Sequence, residues 1–366
     1  MSPMSPTLTD VARHAEVALS TASRAFSDPG RLRPETLRKV LAAAQELGYR
    51  PAAPRASEAS AGRADTTVAV VVPDIANPVF GAFVKAAQNA RVPQRQTVVL
   101  ADTDFDPDRE RALLTRLRDQ ADGLVVCSPR LPADEVLTLC GRTPAVLVNR
   151  ETTGTDCVLA EAEDGLRQAV EHLAALGHRR LAHVPGTRHS WSSARRAELV
   201  RAQAARVGLE VELLGRQSET VAGGTAAAAG VIASGASAVI THNDLMALGV
   251  ITGARALGVR VPEELSVVGI DDIPFAAVAH PALTSIAVPM DRAGTLSVDL
   301  LARAVAGDRQ TPRVLRLPTQ LVVRGSTGPA PAGSAQRSAK HTATRTAKHP
   351  EKHPGKHTEK HTEEPV

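Results

Sequence analysis

Aromatic residues are nearly missing from this chain. Of 366 residues only five are Phe, one is Tyr and one is Trp, 2% in all, so Ala, Val and Leu must build its cores. Cysteine is equally scarce. Cys127, Cys140 and Cys157 are scattered and odd in number, which argues against a disulfide frame or a zinc site and fits a reducing compartment. No apolar run approaches the ~20 residues that span a bilayer. The opening "MSPMSPTLTD" lacks a basic start and an apolar h-region, so no secretory signal is expected and the expected location is cytoplasmic.

What is present is an apolar fraction of 43%, enough for sizeable cores, over a length that suits two or three domains at roughly 150 residues each. The net charge of +4 is small but unevenly placed. Residues 1–63 carry nine Lys/Arg against six Asp/Glu, and residues 329–366 carry seven against four, which leaves the middle at −2. A basic head on a near-neutral body suits a polyanionic partner, although +3 over 63 residues is also ordinary for a solvated surface.

The head carries three helical signals. Thr7 or Thr9 can cap a helix through Ala15, with Leu8, Val11 and Ala12 on one face. A second helix is expected from Ala18 to Phe26, with Leu19, Ala22 and Phe26 at helical spacing, before the turn "SDPG". A third is expected from Pro34 to Leu47, with Gly48 as its C-cap. Two short helices joined only by "AEV" and crossed by a third give helix-turn-helix geometry. In the second helix Leu19, Ser20 and Arg24 share an exposed face, flanked by Thr21 and Ser23. Small side chains let such a helix enter a major groove, hydroxyls reach phosphates or base edges, and one Arg can bridge guanine O6 and N7. The plainer alternative is a solvated helix face.

Residues 51–65, "PAAPRASEASAGRAD", read as a linker. From Thr67 onward, near-continuous apolar strands such as "VAVVV", "GLVV" and "AVLVN" alternate with helical stretches such as "DPDRERALLTRLRDQ". That pattern predicts α/β architecture with parallel strands buried on both faces. At about 260 residues, the body suits two doubly wound units better than one. After Gly328 the chain turns polar, with histidines at 341, 349, 353, 357 and 361. This reads as a disordered tail; its histidines could collect a metal, but no geometry is specified.

Ligands of open α/β sheets sit at the carboxyl ends of strands. Reading those ends gives Asp74, Ile75, Asn77 and Phe80, then Asn149 and Arg150, Asn243 and Asp244, and Asp271 and Asp272. Carboxylates mixed with amides suit a polyol, whose hydroxyls donate and accept. Each is also a common cap or turn residue, and Asp244 is expected to cap the helix "LMALGVITGARALG". Trp191, in "PGTRHSWSSARR", is either a stacking platform for a sugar or lobe packing.

At this level of detail the chain resembles the lactose-repressor (LacI/GalR) family of bacterial transcription regulators. The likeness rests on "TLTDVARHAEVALSTASRAF", "RPETLRKVLAAAQELGYRP", "VPDIANPVFGAFV", "EHLAALGHRRLAHVPG", "HNDLMALG" and "RVPEELSVVGIDDIPFA", and it runs in order from about residue 7 to 327. The resemblance implies a DNA-binding head (1–50), a hinge (51–65), and a two-lobed effector core like the periplasmic sugar-binding proteins (66–328). The N-lobe would take about 66–160 and 290–318, the C-lobe about 161–289 and 319–328. It further implies a homodimer on double-stranded operator DNA, most simply as a repressor, with a sugar-like effector between the lobes. Leu19, Ser20 and Arg24 resemble the family's base-reading residues, and Thr9, Thr21, Ser23 and Tyr49 its backbone contacts. Asn149, Asn243 and Asp271 match effector positions; Asp74, Asn77, Phe80, Trp191 and Arg195 join them by placement. Three departures stand out. Arg33 replaces the usual Ser/Thr cap, Glu58 replaces a groove-wedging Leu beside an interrupting Pro54, and Ala197 stands where an effector-binding Arg is usual, leaving Arg195 or Arg196 to substitute. A carboxylate at the hinge suggests that Arg55 and Arg63 take up phosphate contacts instead.

Two other classes fit less well. A Rossmann-type enzyme would carry Gly-x-Gly-x-x-Gly after the first strand, where this chain has "VVPDIANP", and no Gly-x-Ser-x-Gly elbow occurs. A free-standing solute-binding protein would need an export signal and no helix-turn-helix. Neither a cofactor nor a metal is expected.

Overall fold

A computed structural model describes residues 6–27, 32–47, 49, 66–90, 96–308 and 311–332. The expected cap at Gly48, the turn residues 28–30, the linker with Pro54, Arg55, Glu58 and Arg63, and the tail histidines lie outside the described residues. The chain divides into two units, residues 1–64 and 65–366.

The first unit contains α1 (Leu8–His14), α2 (Leu19–Ser27) and α3 (Pro34–Glu46). Thr7, not Thr9, starts α1, through a reciprocal capping box. Its Oγ1 accepts from the Asp10 N–H at 3.3 Å, and Asp10 Oδ2 accepts from the Thr7 N–H at 2.9 Å. Pro34 opens α3, where a missing N–H costs nothing; Arg33 precedes it with no side-chain cap bond. Val11, Ala12, Ala15, Ala22, Ala25, Val40, Ala43 and Ala44 form the core. Small residues suffice because the helices approach closely, and the Phe26 and Tyr49 rings close one side at 5.7 Å. The turn between α1 and α2 passes through Glu16 at φ 50°, tied to Lys39 of α3 at 3.0 Å.

The second unit holds two six-stranded sheets. The first lobe has β1 (Thr66–Val72), β2 (Gln96–Asp102), β3 (Gly123–Cys127), β4 (Ala145–Val148) and β5 (Cys157–Glu161). Its helices are α4 (Pro78–Asn89), α5 (Pro107–Leu117) and α6 (Ala133–Cys140). The second lobe has α7 (Ala162–Ala175), β6 (Arg180–Val184), α8 (Trp191–Arg206), β7 (Glu210–Leu213), α9 (Val221–Ala233), β8 (Ala238–Thr241), α10 (Asp244–Ala256), β9 (Ser266–Asp271), α11 (Pro274–Val278) and β10 (Thr284–Ala287). The chain then returns to the first lobe with α12 (Met290–Val305) and β11 (Val314–Pro318), and re-enters the second with β12 (Gln320–Val322).

Strand orders are β2-β1-β3-β4-β5-β11 and β7-β6-β8-β9-β10-β12. All pairs are parallel except β10 with β12. Both sheets are doubly wound, with a switch point beside β1 and β6 respectively. Alternate residues of β1 enter opposite cores: Val68, Val70 and Val72 meet α4 and α12, whereas Ala69 and Val71 meet α5 and α6. This two-faced burial is why the central strands are uninterrupted Val/Leu/Ala. The chain crosses between lobes after Glu161, after Ala287 and after Pro318. Thr319 stitches these crossings together: its Oγ1 donates to Glu161 O at 2.7 Å and accepts from the Gly165 N–H at 3.2 Å. A Cβ on Gly165 would sit 2.3 Å from Ile286 and 2.8 Å from Thr319, so only glycine permits that approach.

Candidate functional site

In the head, Ala22 and Ala25 turn α2 inward. Leu19, Ser20, Ser23 and Arg24 are thereby left on the exposed side, Leu19 with 50% of its surface in water. A half-exposed Leu beside two hydroxyls and a guanidinium is chemistry that base edges and phosphates can meet. Thr21 is half-buried, Thr9 is exposed on α1, and Tyr49 packs against Phe26 with part of its surface open. Arg55 lies outside the described residues.

In the core, the carboxyl ends of both sheets face each other, and two adjoining spaces separate them. The larger is a cavity of about 210 Å³ lined by Asn149, Glu161 and Arg316 from the first lobe and Trp191, Arg195 and Arg196 from the second. The smaller is about 30 Å³ and is lined by Asn77, Phe80, Arg130 and Asn149 on one side and Arg196, Glu219, His242, Asn243 and Asp271 on the other. A space of that size holds about one or two waters. Its closure comes from side chains that pair across it.

Most expected residues meet here, but several do so with their polar atoms already engaged. Asn77 is the N-cap of α4, accepting from the Val79 N–H at 3.2 Å. Asn149, at φ 52°, accepts from the Ala160 N–H at 3.0 Å and donates to Ser128 Oγ at 3.4 Å. Asn243 accepts from the Met246 N–H at 2.9 Å and donates to Glu219 O at 3.0 Å. It is therefore Asn243, not Asp244, that caps α10. Asp244 is fully buried one residue on. It accepts from Ser285 Oγ at 2.5 Å and from the Ile273 N–H at 2.9 Å, and burial pushes its carboxyl up to about 6. Gly269 is required beneath it, since a Cβ there would lie 2.1 Å from Asp244 Oδ1. Asp272 pairs with Arg324 at 2.7 Å, and Arg150 donates to the carbonyls of Pro129 and Leu131.

Two placements differ from the reading of the sequence. Asp74 lines neither space. It is half-buried and accepts from the Ala76 N–H at 2.8 Å, its carboxyl raised by burial and by the neighbouring Asp102 and Asp104. Arg195 lines only the larger cavity, with 47% of its side chain exposed and Glu163 and Glu198 at 4.0 and 3.8 Å. The inward cation is Arg196, whose Nη1 donates to His242 O at 2.5 Å while Nη2 reaches Asp271 Oδ1 at 3.5 Å. Adjacent residues on a helix point about 100° apart, so α8 brings both arginines to the larger cavity but only Arg196 to the smaller space. Asp271 holds φ at 120°, a region non-glycine residues rarely adopt. Burial drives its carboxyl up to about 8 despite Arg196.

Sequence reasoning missed Arg130, Glu219 and His242. Arg130 follows β3, a strand end that could have been read like the others. His242 adjoins Asn243. Glu219 sits in a loop with no local signal. Among the described residues no group of three His, Cys, Asp or Glu side chains could hold a metal ion, and no helix is long and apolar enough to cross a membrane.

Comparison with known proteins follows the same division. Residues 7–52 match the family of bacterial regulatory proteins named for lacI, and residues 170–327 match a periplasmic binding protein-like domain. The HTH-type transcriptional regulator reg1 of Streptomyces lividans is 34% identical over 345 residues, 90% of this chain and 98% of the relative. Among solved structures, the lac repressor dimer bound to operator and the anti-inducer ONPF is 26% identical with a TM-score of 0.66, covering 89% of this chain and all of that one. The transcriptional regulator CelR in complex with cellobiose is 28% identical with a TM-score of 0.64, over 88% and 99%. With its exposed Ser/Arg-bearing helix and two facing doubly wound sheets, the chain belongs to the lacI family of bacterial regulatory proteins and is a DNA-binding transcriptional regulator.

Proposed function

We propose that the protein is a repressor that pairs as a homodimer on a pseudo-palindromic operator and responds to a sugar-like effector held between its lobes. The observation that carries this reading is the 210 Å³ cavity between the two sheets, where Trp191 offers a ring and Asn149 and Arg196 offer polar groups. Residues 1–50 form the DNA-binding unit, 51–65 the hinge, and 66–328 the effector core; the expected boundary at 328 falls short, since the Ala330 N–H still donates to Leu176 O of the core at 2.8 Å. In the head, Leu19, Ser20 and Arg24 read bases, and Thr9, Thr21, Ser23, Tyr49 and Arg55 hold the backbone. In the core, Phe80, Asn149, Trp191, Arg196 and Asp271 contact effector. Apolar side chains left in water, among them Phe275 at 53% and Val278 at 78% exposure, support a second copy as the covering partner. The relatives are regulators and not enzymes, and the protein acts in the cytoplasm where its DNA is.

DNA and effector favour different relative poses of the lobes, and each shifts the other's affinity, by about 5–150-fold in typical cases. A fluorescence-anisotropy titration with DNA from upstream of its own gene tests this, with salt and candidate sugars varied. Specific binding that weakens steeply with salt and changes at saturating sugar is expected. Equal affinity for operator and bulk DNA overturns it.

A further inference from the structure

Arg130 and Glu219 form an ion pair that crosses the cleft. Arg130 follows β3 in the first lobe, and Glu219 precedes α9 in the second. Nη2 and Oε2 lie 2.7 Å apart, with side chains only 3% and 5% exposed. Each partner is braced by its own lobe. The Arg130 guanidinium stacks 4.9 Å over the Phe105 ring, and its backbone N–H donates to Glu110 at 2.8 Å. Glu219 Oε1 accepts from the Thr187 N–H at 3.2 Å and from Thr187 Oγ1 at 2.9 Å. Each side chain is held by its own lobe, so the gap between them is set by how far the lobes stand apart, and a bridging group enters as the lobes part. Polar capacity remains beside them, because Arg130 Nε and His242 Nδ1 are buried without a hydrogen-bond partner.

We propose that Arg130 and Glu219 set the chemical class of the effector: a hydroxyl of the ligand inserts between them, so that neutral polyols are accepted and their phosphorylated or acidic counterparts are rejected. The proposal rests on the reading that an effector occupies this cleft.

A hydroxyl is the small group that accepts from Arg130 and donates to Glu219 at once. Inserted between them, it leaves both charges hydrogen-bonded. A phosphate or carboxylate only accepts. It could take the Arg130 fork, but it would stand against the Glu219 carboxylate in a dry site where like charges repel strongly. A ligand amine would meet Arg130 in the same way. The second buried pair, Arg196 with Asp271, lies within the second lobe; burial raises the Asp271 carboxyl, so it offsets Arg196 only in part, and the rejection of anions rests on Glu219 at the point of insertion. Sites that bury polar groups discriminate sharply, because the wrong ligand leaves those groups unpaired.

The test uses the full-length protein and matched probes by calorimetry: ribose and ribose 5-phosphate, glucose and glucose 6-phosphate, cellobiose and cellobionate. In the wild type, the neutral member of each pair that binds should be at least about 10-fold tighter. In Glu219→Gln, which leaves Arg130 without its counter-charge, the preference should move at least about 10-fold toward the anion. The double variant Arg130→Gln with Glu219→Gln buries no lone ion, and it should bind the neutral member more weakly and discriminate less. A wild type that prefers the anionic member, or variants that keep the wild-type preference, overturn the proposal while the cleft reading stands. No binding by any probe removes the sugar reading of the cleft and this proposal with it.

Discussion

Arg196 and Asp271, 75 residues apart in sequence, meet at 3.5 Å with about nine-tenths of each side chain out of water. The contact joins the first turns of α8 to the carboxyl end of β9, on the wall of the cleft. It also places an acid in a setting that opposes its ionisation.

That setting fixes a pH dependence. Asp271 is raised to about 8 and Asp244 to about 6, both chiefly by burial. An acid whose folded pKa lies above its unfolded value stabilises the fold fully below the unfolded pKa, and the contribution is lost as pH rises through the folded pKa. The buried imidazoles act in the opposite sense. His183 is lowered to about 3, and His178 and His242 are lowered, in each case by burial first. Their contribution is present above about pH 6.5 and is lost as pH falls. The core should therefore be most stable between about pH 6 and 7, with a decline toward pH 8.5 that Asp271→Asn removes. Calorimetric melting across that range checks it; a wild-type melting temperature still rising at the alkaline end contradicts it.

Arg24 is the long cation on the exposed side of α2. Arg24→Ala should weaken operator binding by about 10–100-fold, the worth of one bidentate base contact, and leave bulk-DNA binding nearly unchanged. Arg24→Lys should recover charge but not specificity. Competition binding with operator and scrambled duplexes measures both.

The capping box at Thr7 predicts a local effect. Thr7→Ala should destabilise the head by about 1 kcal/mol, and Thr7→Ser should be close to neutral. Hydrogen exchange of the α1 amides in the full chain reports the change, and it should leave the amides of β1 and β3 unaffected.

Helices α9 and α10 touch backbone to backbone. A Cβ on Gly224 would lie 2.0 Å from Met246 O, and one on Gly249 would lie 2.1 Å from Val221 O. Gly224→Ala should cost about 1–3 kcal/mol, as overpacking does. Because the two glycines share one contact surface, the double variant should cost less than the sum of the singles. Urea denaturation of all three gives the answer.

The parts of this molecule legible in the sequence are those where one local rule dominates. Strands β1, β3 and β4 are buried on both faces, so composition alone marks them. Pro34 announces a helix start because few residues suit that position, whereas Thr7 and Thr9 are both good caps on paper and the fold selects Thr7. Edge strands β7 and β11 are short and half-exposed, and their pattern resembles a loop. Asn243 and Asp244 are equally good caps on paper; only the backbone decides which reaches Met246. Arg195 and Arg196 differ by a helical rotation that an error of one residue reverses. Arg130 and Glu219, 89 residues apart, meet only because two sheets face each other.

Thr319 binds the strand leaving the first lobe to the start of α7, where the chain first enters the second, and Gly165 lets Ile286 of β10 lie against both. Three separate peptide connections are thereby fused into one pivot. Relative movement of the lobes is expected to turn about that knot, because all three connections are held there. Glu161, whose carbonyl Thr319 holds, also lines the 210 Å³ cavity, so a small molecule held there would touch the joint between the lobes directly.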